Sequence, residues 1–533
     1  MSKELPRHLS LSNVDFAMLR ENNEIYVDKS HLIAQLASTT SGKFFLSRPR
    51  RFGKSLLLST FESLFRTGTK DFVGLAAEKV WKNDRPYKVL RLDLSIMEEA
   101  RTPEQLNELF DLTLTTACGV AGLELPNMGD PIKSFMKLIL QCGKGGLVLL
   151  IDEYDAPLSH HLHEYEIFEL HQRYQSRIFS LIKSLGGYFR FIFMTGVGKF
   201  RHSGIFSGFN FLTDLTMVSE YNAILGMTEK EVELYYAHHL AAIEQKFSMT
   251  HERLLQQLRD NYDGYCFSKK VEERIYNPWS VLSFLSLPSE DFPNFWAQSS
   301  GRPALLKNYL ATHELSDPAS FFIPKSIQLM ELQSSSDFKD LNELCMLQQT
   351  GYLTIDRFDG NEVVLKYPNL EVIESMASLY TPVLLGGKTL NDMGNENVKG
   401  IFETGTAGQV ISLFNSILLN MSYNSFPLKN EFHCRDAMAL ILFGAGMHPD
   451  IEKHNMLGRS DLDVGLAKRR WVIEFKYAKR ASQEAQLLDA AEHQILQRRY
   501  GDGDLLEREV IRVAAVYSAE EKQVTKWKVV DKA

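Results

Sequence analysis

Three consecutive residues, Gly53, Lys54 and Ser55, follow an apolar run and precede a helix-like stretch. Glycine lets the backbone N–H groups of a turn approach a phosphate closely. A lysine supplies positive charge to the β- and γ-phosphates, a serine hydroxyl can bind Mg²⁺, and a helix start adds partial positive charge. The pattern predicts a phosphate-binding turn within 44–58, although Arg48 stands where the usual pattern has its first glycine. A solvated Gly-Lys-Ser at a helix start is the alternative interpretation.

An acidic pair, Asp152 and Glu153, ends a second apolar run further along the chain. Mg²⁺-nucleotide chemistry requires an acid at the carboxyl end of a strand near the phosphate-binding turn. We predict that Asp152 holds the metal through water and that Glu153 polarises the attacking water. A third run ends at Thr195, whose hydroxyl could sense the γ-phosphate. The turn and the acid pair in this order favour nucleotide binding over a chance match.

The C-terminal part carries another set of charged residues, Asp461, Glu474 and Lys476, on two strand-like runs. Residues two apart on a strand share one face, so Glu474 and Lys476 point the same way. A hairpin partner carrying Asp461 can bring both carboxylates onto one Mg²⁺ or Mn²⁺, because hard cations favour oxygen ligands. Lys476 would position the water of a phosphodiester cleavage or stabilise its oxyanion. The alternatives are Asp463 as the ligand instead of Asp461, and alternating charges on a solvated sheet face.

Four apolar runs must position the first set of residues: KFFLS (43–47), KVLRLDLS (88–95), GLVLLIDE (146–153) and FRFIFMTG (189–196). Each run is apolar on both faces, which is typical of central strands in a parallel sheet that helices cover on both sides. Helix-like stretches at 55–66 and 167–185 lie between them. Strands that alternate with helices predict an α/β fold with a doubly wound parallel sheet.

The order of the patterns predicts three domains: a P-loop domain at 1–230, a helical lid with a winged-helix-like region at 231–385, and a nuclease-like α/β domain at 386–533. In the middle domain, 345–369 reads as a helix end and two strands around a turn at Asp359-Gly360-Asn361. Any small α+β lid fits this pattern as well as a winged helix. A Gly/Asn-rich connector at 384–400 marks the last boundary.

Composition narrows the classes of protein. Hydrophobic residues make up 44% and charged residues 24% of the 533 residues, which excludes a largely disordered chain. The net charge of -8 excludes the whole molecule as a polyanion-binding block. Nucleic acid would therefore contact a local basic cluster, for which a solvated face is the alternative interpretation. Its members are Lys468, Arg469, Arg470, Lys476, Lys479, Arg480, Arg498 and Arg499. Five scattered cysteines predict reduced thiols without a zinc site. The absence of an apolar leader and of long apolar runs predicts a cytoplasmic protein.

Several ordered motifs connect these features: YVDKSHLI (26–33), LSRPRRFGKSLLLSTF (46–61), LLIDEYDAPL (149–158) and TGVGKF (195–200). With later motifs such as NYDGYCF (261–267), the chain resembles the AAA-ATPase-like family, whose members commonly carry a C-terminal PD-(D/E)XK nuclease-superfamily domain. The resemblance covers most of 5–385, implies ATP binding and makes arginine at position 48 the family norm. Near the C-terminus, the order helix, GRxD strand, ExK strand, helix resembles the nuclease fold. It implies supporting roles for Glu431 and Gln494.

We therefore predict a nucleotide site made of the turn residues Arg50, Arg51, Phe52, Gly53, Lys54, Ser55 and Leu56, together with Asp152 and Thr195. Arg50 and Arg51 are interpreted as contacting the nucleotide or a neighbouring acid, with a solvated loop as the alternative. Lys199, Asp28 and Arg302 are weaker candidates, because packing or loop geometry explains them equally well.

These predictions combine into an ATPase coupled to a metal-dependent nuclease whose access to nucleic acid depends on the nucleotide state. ATP and Mg²⁺ are the predicted cofactors, with Mn²⁺ as an alternative at the nuclease site. DNA is favoured over RNA, no membrane partner is expected, and a homo-oligomer is left open. The alternative is a nucleotide-dependent switch or scaffold with a catalytically silent nucleic-acid-binding domain. A transcription regulator is disfavoured, because no helix is rich in base-reading side chains.

Overall fold

The computed structural model describes residues 8–82, 85–199, 211–300, 306, 308–309, 313, 321–333, 342–390, 397–421, 427–455, 458–502 and 508–531. The chain divides into two compact units: an N-terminal unit, Met1–His313 with Pro324–Glu371, and a C-terminal unit, Glu314–Ile323 with Val372–Ala533. Within the described ranges, no helix is both long and apolar enough to cross a membrane.

The N-terminal unit is built on a five-stranded parallel sheet in the order β2-β3-β4-β1-β5. Its strands are β1 (Gly42–Ser47), β2 (Lys88–Asp93), β3 (Leu147–Asp152), β4 (Phe189–Gly196) and β5 (Thr213–Asp214). Every residue of β3 is buried, as expected for a central strand with helices on both faces. The four strands predicted from apolar runs are confirmed, and so is the α/β fold class.

Eight helices described before and between these strands cover the sheet: α1 (Phe16–Glu21), α2 (Ser30–Ser38), α3 (Lys54–Thr67), α4 (Ala76–Val80), α5 (Pro103–Ala121), α6 (Pro131–Cys142), α7 (Ala156–His160) and α8 (Tyr165–Ser184). The apolar side of α3 packs Phe61 and Phe65 against Phe191 on β4. This packing fixes the direction of α3 relative to the sheet, and its N-terminal end therefore lies at the carboxyl ends of the strands.

A helical region follows: α9 (Glu229–Tyr235), α10 (Ala237–Phe247), α11 (His251–Tyr262), α12 (Pro278–Ser286) and α13 (Phe295–Ser300). Its buried apolar residues form one cluster that includes Val232, Leu258 and Phe284. A small antiparallel sheet with strand order β6-β8-β7 completes the N-terminal unit. Its elements are β6 (Lys325–Gln328), α14 (Leu329–Gln333), α15 (Glu343–Gln349), β7 (Thr354–Asp359) and β8 (Glu362–Lys366). The predicted helix and hairpin are present, and β6 adds a third strand.

The last part of the chain contains α16 (Leu370–Leu384), α17 (Val398–Thr404), α18 (Ala407–Asn420), α19 (Glu431–Gly444), β9 (Asp450–Asn455), β10 (Gly458–Gly465), β11 (Arg469–Ala478), α20 (Glu484–Gln497), β12 (Glu509–Ser518) and β13 (Gln523–Val529). Its mixed sheet has the order β13-β12-β11-β10-β9, in which only β11 and β12 are parallel. Strands β9, β12 and β13 were not predicted. The boundaries of the three predicted domains stay a prediction.

Candidate active sites

The candidate phosphate-binding turn connects β1 to α3. β1 ends at Ser47 and α3 begins at Lys54. Gly53 between them has φ +90°, in the left-handed region that costs a residue with a side chain about 1 kcal/mol or more. The unpaired N–H groups at the start of α3 therefore meet at this turn, which is an arrangement that binds phosphate.

The side chains of Lys54 and Ser55 both reach the acidic end of β3. Lys54 is buried, and its Nζ lies 3.3 Å from two carbonyl oxygens of the turn and 3.7 Å from Glu153 Oε1. The Ser55 hydroxyl lies near the Asp152 carboxylate and acts to lower its pKa. The fold thus brings together a lysine, a hydroxyl and two acids that lie far apart in the sequence.

Asp152 is the last residue of β3 and is buried. Its carboxylate also accepts the backbone N–H of Glu153 at 3.1 Å and lies 3.6 Å from the Arg91 guanidinium. Burial raises the pKa of Asp152, whereas the Ser55 hydroxyl and the positive charges of Lys54 and Arg91 oppose this rise. A carboxylate in this setting suits a divalent cation, because the cation favours the charged form.

Two further residues of the site have unusual environments. Glu153 has a left-handed backbone with φ 47°, a strained conformation of the kind that clusters at functional sites. Thr195 is fully buried, and its Oγ1 has no hydrogen-bond partner among the described residues. Because β4 lies between β1 and β3, Thr195 stands between the turn and the acid pair. An unpaired hydroxyl there fits a phosphate oxygen.

The other predicted turn residues have different surroundings. The Arg51 guanidinium lies over the Trp279 ring, 4.4 Å from its centroid. Phe52 is buried against two aromatic rings of the helical region, so its side chain belongs to the core and only its backbone can reach a nucleotide. Arg50 and Leu56 are half-buried. Three of these four residues, Arg51, Phe52 and Leu56, line a cavity beside the turn.

Arg48, which replaces the usual first glycine, is a structural residue. Its guanidinium is buried and donates hydrogen bonds of 2.9 Å to the carbonyl oxygens of Thr216 and Tyr221. It also lies 4.3 Å from the centroid of the Phe267 ring. Burial lowers the pKa of Arg48, and the charge of Asp214 opposes this effect. The arginine therefore anchors the start of the turn to the segment that follows β5.

A cavity of about 300 Å³ opens beside the turn. Gly53 and Leu56 form one wall, while Tyr26, Leu225 and Trp279 come from three other segments of the N-terminal unit. Its predominantly apolar and aromatic lining and its size are typical of a small-molecule pocket. The cavity was not predicted, because its walls are assembled from residues that are distant in sequence.

Sequence reasoning also missed Asp155 and Arg91. The buried Asp155 carboxylate accepts the backbone N–H groups of Val197 and Gly198 at 3.0 and 2.5 Å, and so holds the chain directly after β4. Burial and the nearby Glu153 charge raise its pKa to about 6. The motif LLIDEYDAPL contains Asp155 and carried a signal for it, whereas nothing in the pattern of β2 distinguishes Arg91.

Two of the three weaker candidates bind other groups of the protein. The Asp28 carboxylate accepts the backbone N–H groups of Ser30 and Ala76 and thereby joins α2 to α4. Lys199 Nζ lies 2.8 Å from Asp214 Oδ2. Arg302 lies outside the described residues. Asp28 and Lys199 thus have structural partners.

The second candidate site lies on β10 and β11. These strands are antiparallel with Leu462 opposite Ile473, so Asp461 and Glu474 occupy the next facing positions. Asp461 Oδ2 accepts the backbone N–H of Phe475 at 2.8 Å, and Glu474 is fully buried. The hairpin therefore brings the two carboxylates to one place, as the sequence predicted.

Lys476 adds a positive charge to this pair. Its Nζ lies 2.8 Å from Glu474 Oε1 and 3.8 Å from Glu431 Oε2 at the start of α19. Glu474 Oε2 is buried without a hydrogen-bond partner among the described residues. Burial and the Asp461 charge raise the pKa of Glu474 to about 7, and burial also raises the pKa of Asp461. Burial acts to lower the pKa of Lys476, but the neighbouring carboxylates outweigh it and raise that pKa.

The competing ligand and the supporting glutamine have partners of their own. The buried Asp463 forms an ion pair of 2.7 Å with Arg470, which makes Asp461 the better placed of the two for a metal. Gln494 Nε2 donates to the Tyr500 hydroxyl at 3.2 Å, and that hydroxyl donates to the carbonyl oxygen of Arg459 on β10. Gln494 therefore contacts the Asp461 strand through Tyr500.

The donor sets of both sites fit a weakly chelated hard cation. In the described part of the chain, no three Asp, Glu, His or Cys side chains form a metal-binding group. Asp461 and Glu474 supply two carboxylates, while Ser55 and Asp152 supply a hydroxyl and a carboxylate. Mg²⁺ is commonly held by one or two carboxylates, with water and substrate phosphate completing the shell. The buried Glu474 Oε2, which has no hydrogen-bond partner among the described residues, suits a cation ligand.

Comparisons with known proteins place the two candidate sites in two different family ranges. A family model described as predicted AAA-ATPase matches residues 11–206, and one described as PD-(D/E)XK nuclease superfamily matches residues 429–527. The chain is also similar to the "Uncharacterized protein in vnfD 5'region" of Azotobacter chroococcum mcd 1. The two are 31% identical over 372 residues, which cover 68% of this chain and 67% of that protein. The first family range contains the turn and the acid pair, and the second contains both strands of the carboxylate hairpin.

Proposed function

Because the chain belongs to the predicted AAA-ATPase family and carries a C-terminal domain of the PD-(D/E)XK nuclease superfamily, we propose that it is an ATPase coupled to a nuclease. The N-terminal unit binds and hydrolyses ATP, and the C-terminal unit cleaves nucleic-acid phosphodiesters. The proposed substrate is DNA, and the bound nucleotide controls the cleavage.

The observation that carries the ATP proposal is that the Lys54 ammonium, the Ser55 hydroxyl and the Asp152 carboxylate lie close together beside Glu153. These three groups meet at the N-terminus of α3, where N–H groups without intrahelical partners can bind an anion. Ser55 and Asp152 would hold Mg²⁺, which when bound with ATP neutralises phosphate charge. Lys54 would exchange its contacts with carbonyl oxygens for the phosphates, because a charge-assisted bond to phosphate is stronger than one to a neutral carbonyl.

The adjoining cavity supports a nucleoside as the rest of the ligand. Gly53 and Leu56 place its opening next to the phosphate turn, and Trp279 offers an aromatic surface. Planar bases stack on such rings. A free anion such as phosphate would leave this apolar space unused.

Glu153 is proposed as the base of the hydrolysis. Its carboxylate lies 3.7 Å from Lys54, so a phosphate that attracts Lys54 would release it. The released carboxylate could then accept a proton from an attacking water. Thr195, whose hydroxyl is unpaired, would contact the γ-phosphate.

The nuclease proposal is supported by the unpaired Glu474 Oε2 next to Asp461 and Lys476. Asp461 and Glu474 would hold Mg²⁺ or Mn²⁺, which supplies Lewis-acid stabilisation of the phosphodiester. Lys476 would orient the water and donate to the developing oxyanion, and Glu431 would hold the Lys476 ammonium in place.

Exposed cations of the C-terminal unit are proposed to contact the nucleic-acid backbone. Arg469, Arg470 and Lys476 are ion-paired with acids and contribute less to such a patch. The remaining members of the predicted cluster are exposed: Lys468, Lys479, Arg480, Arg498 and Arg499. Cations of this kind add affinity without sequence specificity.

ATP binding is tested by titrating the purified chain with a fluorescent ATP analogue in the presence of Mg²⁺. We expect saturable binding that unlabelled ATP competes away and that EDTA weakens. Equal affinity for inorganic phosphate and for ATP would overturn the nucleoside assignment. Release of phosphate from ATP, measured with wild type and Glu153→Gln, tests hydrolysis.

Nuclease activity is tested on single- and double-stranded DNA and RNA with Mg²⁺ or Mn²⁺, with and without ATP. We expect cleavage that requires the divalent cation and changes with ATP. Cleavage that persists in EDTA would contradict the site.

The alternative function is a nucleotide-dependent switch with a C-terminal domain that binds nucleic acid without cutting it. The observation in its favour is the 2.8 Å ion pair between Lys476 and Glu474, which can hold the hairpin together without a metal. Intact substrates under every metal condition, together with normal ATP and DNA binding, would support the switch.

A further inference from the structure

The chain that follows α15 touches the phosphate-binding turn directly. Gly351 has φ +86°, and a Cβ built on it would lie 2.8 Å from Pro49 Cβ and 2.7 Å from the Trp296 ring. Contacts this short have no room for a side chain. The turn residue Pro49 therefore rests on the bare backbone of Gly351.

Gln349, two residues earlier, makes a second contact with the nucleotide-binding core. Its side-chain Oε1 accepts the backbone N–H of Lys199 at 3.0 Å. Both residues are buried, and Lys199 follows closely after Thr195 at the end of β4. The last residue of α15 thus holds the segment that leaves β4.

The contact continues through a chain of buried and half-buried polar groups to the start of the turn. Lys199 Nζ binds Asp214 Oδ2 at 2.8 Å, and Asp214 Oδ1 accepts the backbone N–H of Thr216 at 2.9 Å. Thr216 Oγ1 in turn accepts the backbone N–H of Ser47 at 3.1 Å. Hydrogen bonds and an ion pair therefore connect Gln349 to the segment that follows β4 and to Ser47 at the end of β1.

We propose that Gln349 and Gly351 are positioning residues of the nucleotide site, which hold the turn from behind and couple it to the helix–hairpin element α15–β7–β8. This inference rests on the proposed ATP binding. The contacts are close-packed and buried, so the turn cannot shift around a phosphate without displacing the end of α15. Coupling between two sites is reciprocal, and disturbing α15 must therefore change nucleotide affinity.

The first test compares two glycine-to-alanine variants of the same element. Gly360, in the turn between β7 and β8, also has a positive φ of 60°, but a Cβ there meets nothing within 4 Å. Gly360→Ala therefore carries backbone strain without the contact to Pro49. We expect Gly351→Ala to weaken the binding of Mg²⁺-ATP about tenfold or more and Gly360→Ala to leave it within about twofold. Equal affinities in two folded variants would overturn the proposal.

The second test removes the hydrogen bond and keeps the packing. Gln349→Met loses the acceptor for the Lys199 N–H, Gln349→Glu keeps one, and Gln348→Met is the control because Gln348 is similarly buried next to it. We expect Gln349→Met to lower ATP affinity while Gln349→Glu recovers most of it and Gln348→Met does not change it. If Gly351→Ala fails to fold, the Gln349 and Gln348 variants decide whether Gln349 is a positioning residue. Loss in both methionine variants alike would indicate packing only and would contradict a positioning role.

Hydrogen exchange separates this inference from the function on which it rests. We expect Mg²⁺-ATP to slow amide exchange in wild-type residues 343–353, and Gln349→Met to speed exchange at Lys199 even without nucleotide. Wild type that does not bind ATP refutes the proposed function. Wild type that binds ATP with unchanged exchange at 343–353 refutes the coupling alone.

Discussion

The nucleotide site and the carboxylate hairpin both place a buried acid beside a lysine, but the two acids differ in how their oxygens are satisfied. Asp152 accepts the Glu153 N–H and lies near the Ser55 hydroxyl, and its neighbour Lys54 has carbonyl oxygens to bind. Glu474 binds Lys476 through one oxygen, while its second oxygen is buried and unpaired. Groups of the protein therefore satisfy Asp152, whereas Glu474 needs a ligand such as a cation for its second oxygen.

This difference follows from the local structure. A turn between a strand and a helix supplies many N–H groups, so the nucleotide site is organised before its ligand arrives. A strand uses most of its N–H and C=O groups in the sheet, so the hairpin offers few backbone groups besides the Phe475 N–H that binds Asp461. The comparison implies that removing the divalent cation should disturb the C-terminal site more than the N-terminal one.

The largest expected effect comes from Glu474→Gln, which removes a carboxylate that would stabilise the cleavage transition state through its metal. We expect nuclease activity to fall about 1000-fold or more, because such stabilisation amounts to several kcal/mol. Initial rates on a labelled oligonucleotide measure the loss. ATP affinity should stay at the wild-type value, and Glu492→Gln, a half-buried acid on α20, is the matched control. Full activity in Glu474→Gln would show that Glu474 does not hold the metal of the C-terminal site, and the contrast with the nucleotide site would fail.

Next in size is Lys54→Ala, which removes the cation of the phosphate turn. We expect the affinity for Mg²⁺-ATP to fall about 100-fold, because a hydrogen bond to a charged phosphate contributes up to about 3 kcal/mol. Fluorescent-nucleotide titration gives the dissociation constant. The exposed Lys70, changed to alanine, serves as the control, and an unaltered affinity in Lys54→Ala would remove the basis of the nucleotide site.

A smaller effect concerns pH in the presence of EDTA. The pKa of Glu474 is raised from its ordinary value of 4.5 to about 7, so the folded metal-free protein favours the protonated carboxyl. The resulting stabilisation is complete below pH 4.5 and is lost as the pH rises through about 7. We expect the C-terminal unit to lose on the order of 2 kcal/mol over this window, after allowing for relaxation around the buried group.

Thermal unfolding of the full chain between pH 5 and pH 8 measures this loss. Mg²⁺ should restore the stability at pH 8, and Glu474→Gln should make the profile flatter. A wild-type profile that is already flat would show that Glu474 is satisfied without a cation, and the contrast between the two sites would then disappear.

The smallest effects are expected from the exposed cations Lys479 and Arg480. Each change to alanine should weaken DNA binding by a few-fold and reduce the slope of log K against log salt by about one. Binding isotherms at several salt concentrations give this slope. ATP affinity should not change, and a variant with the wild-type slope would place the nucleic-acid path elsewhere on the C-terminal unit.

The sequence predicted the sheet of the N-terminal unit well because its strands are buried on both faces. Runs such as LVLLID become β3 with every residue buried, and such runs are recognisable without knowledge of their neighbours. Strands β9, β12 and β13 escaped prediction although EVIRVAAVYS (509–518) is apolar. Their order in the mixed sheet depends on pairing between distant segments, which local pattern does not contain.

For the candidate sites, the motifs GKS, DE, GRxD and ExK identified Lys54, Asp152, Asp461 and Glu474 by residue type and spacing alone. Their chemical suitability is a property of side chains and short-range geometry, which the sequence carries. The roles of Arg48, Phe52, Asp463 and Gln349 appeared only in the tertiary structure. Each is decided by a partner far away in the chain or across a sheet: the Thr216 carbonyl, the aromatic core, Arg470 and the Lys199 amide. The sequence does not tell whether an arginine near a phosphate turn, or an acid on a strand, binds a ligand or another part of the protein. The whole fold decides this, because it sets the burial and the partners of each side chain.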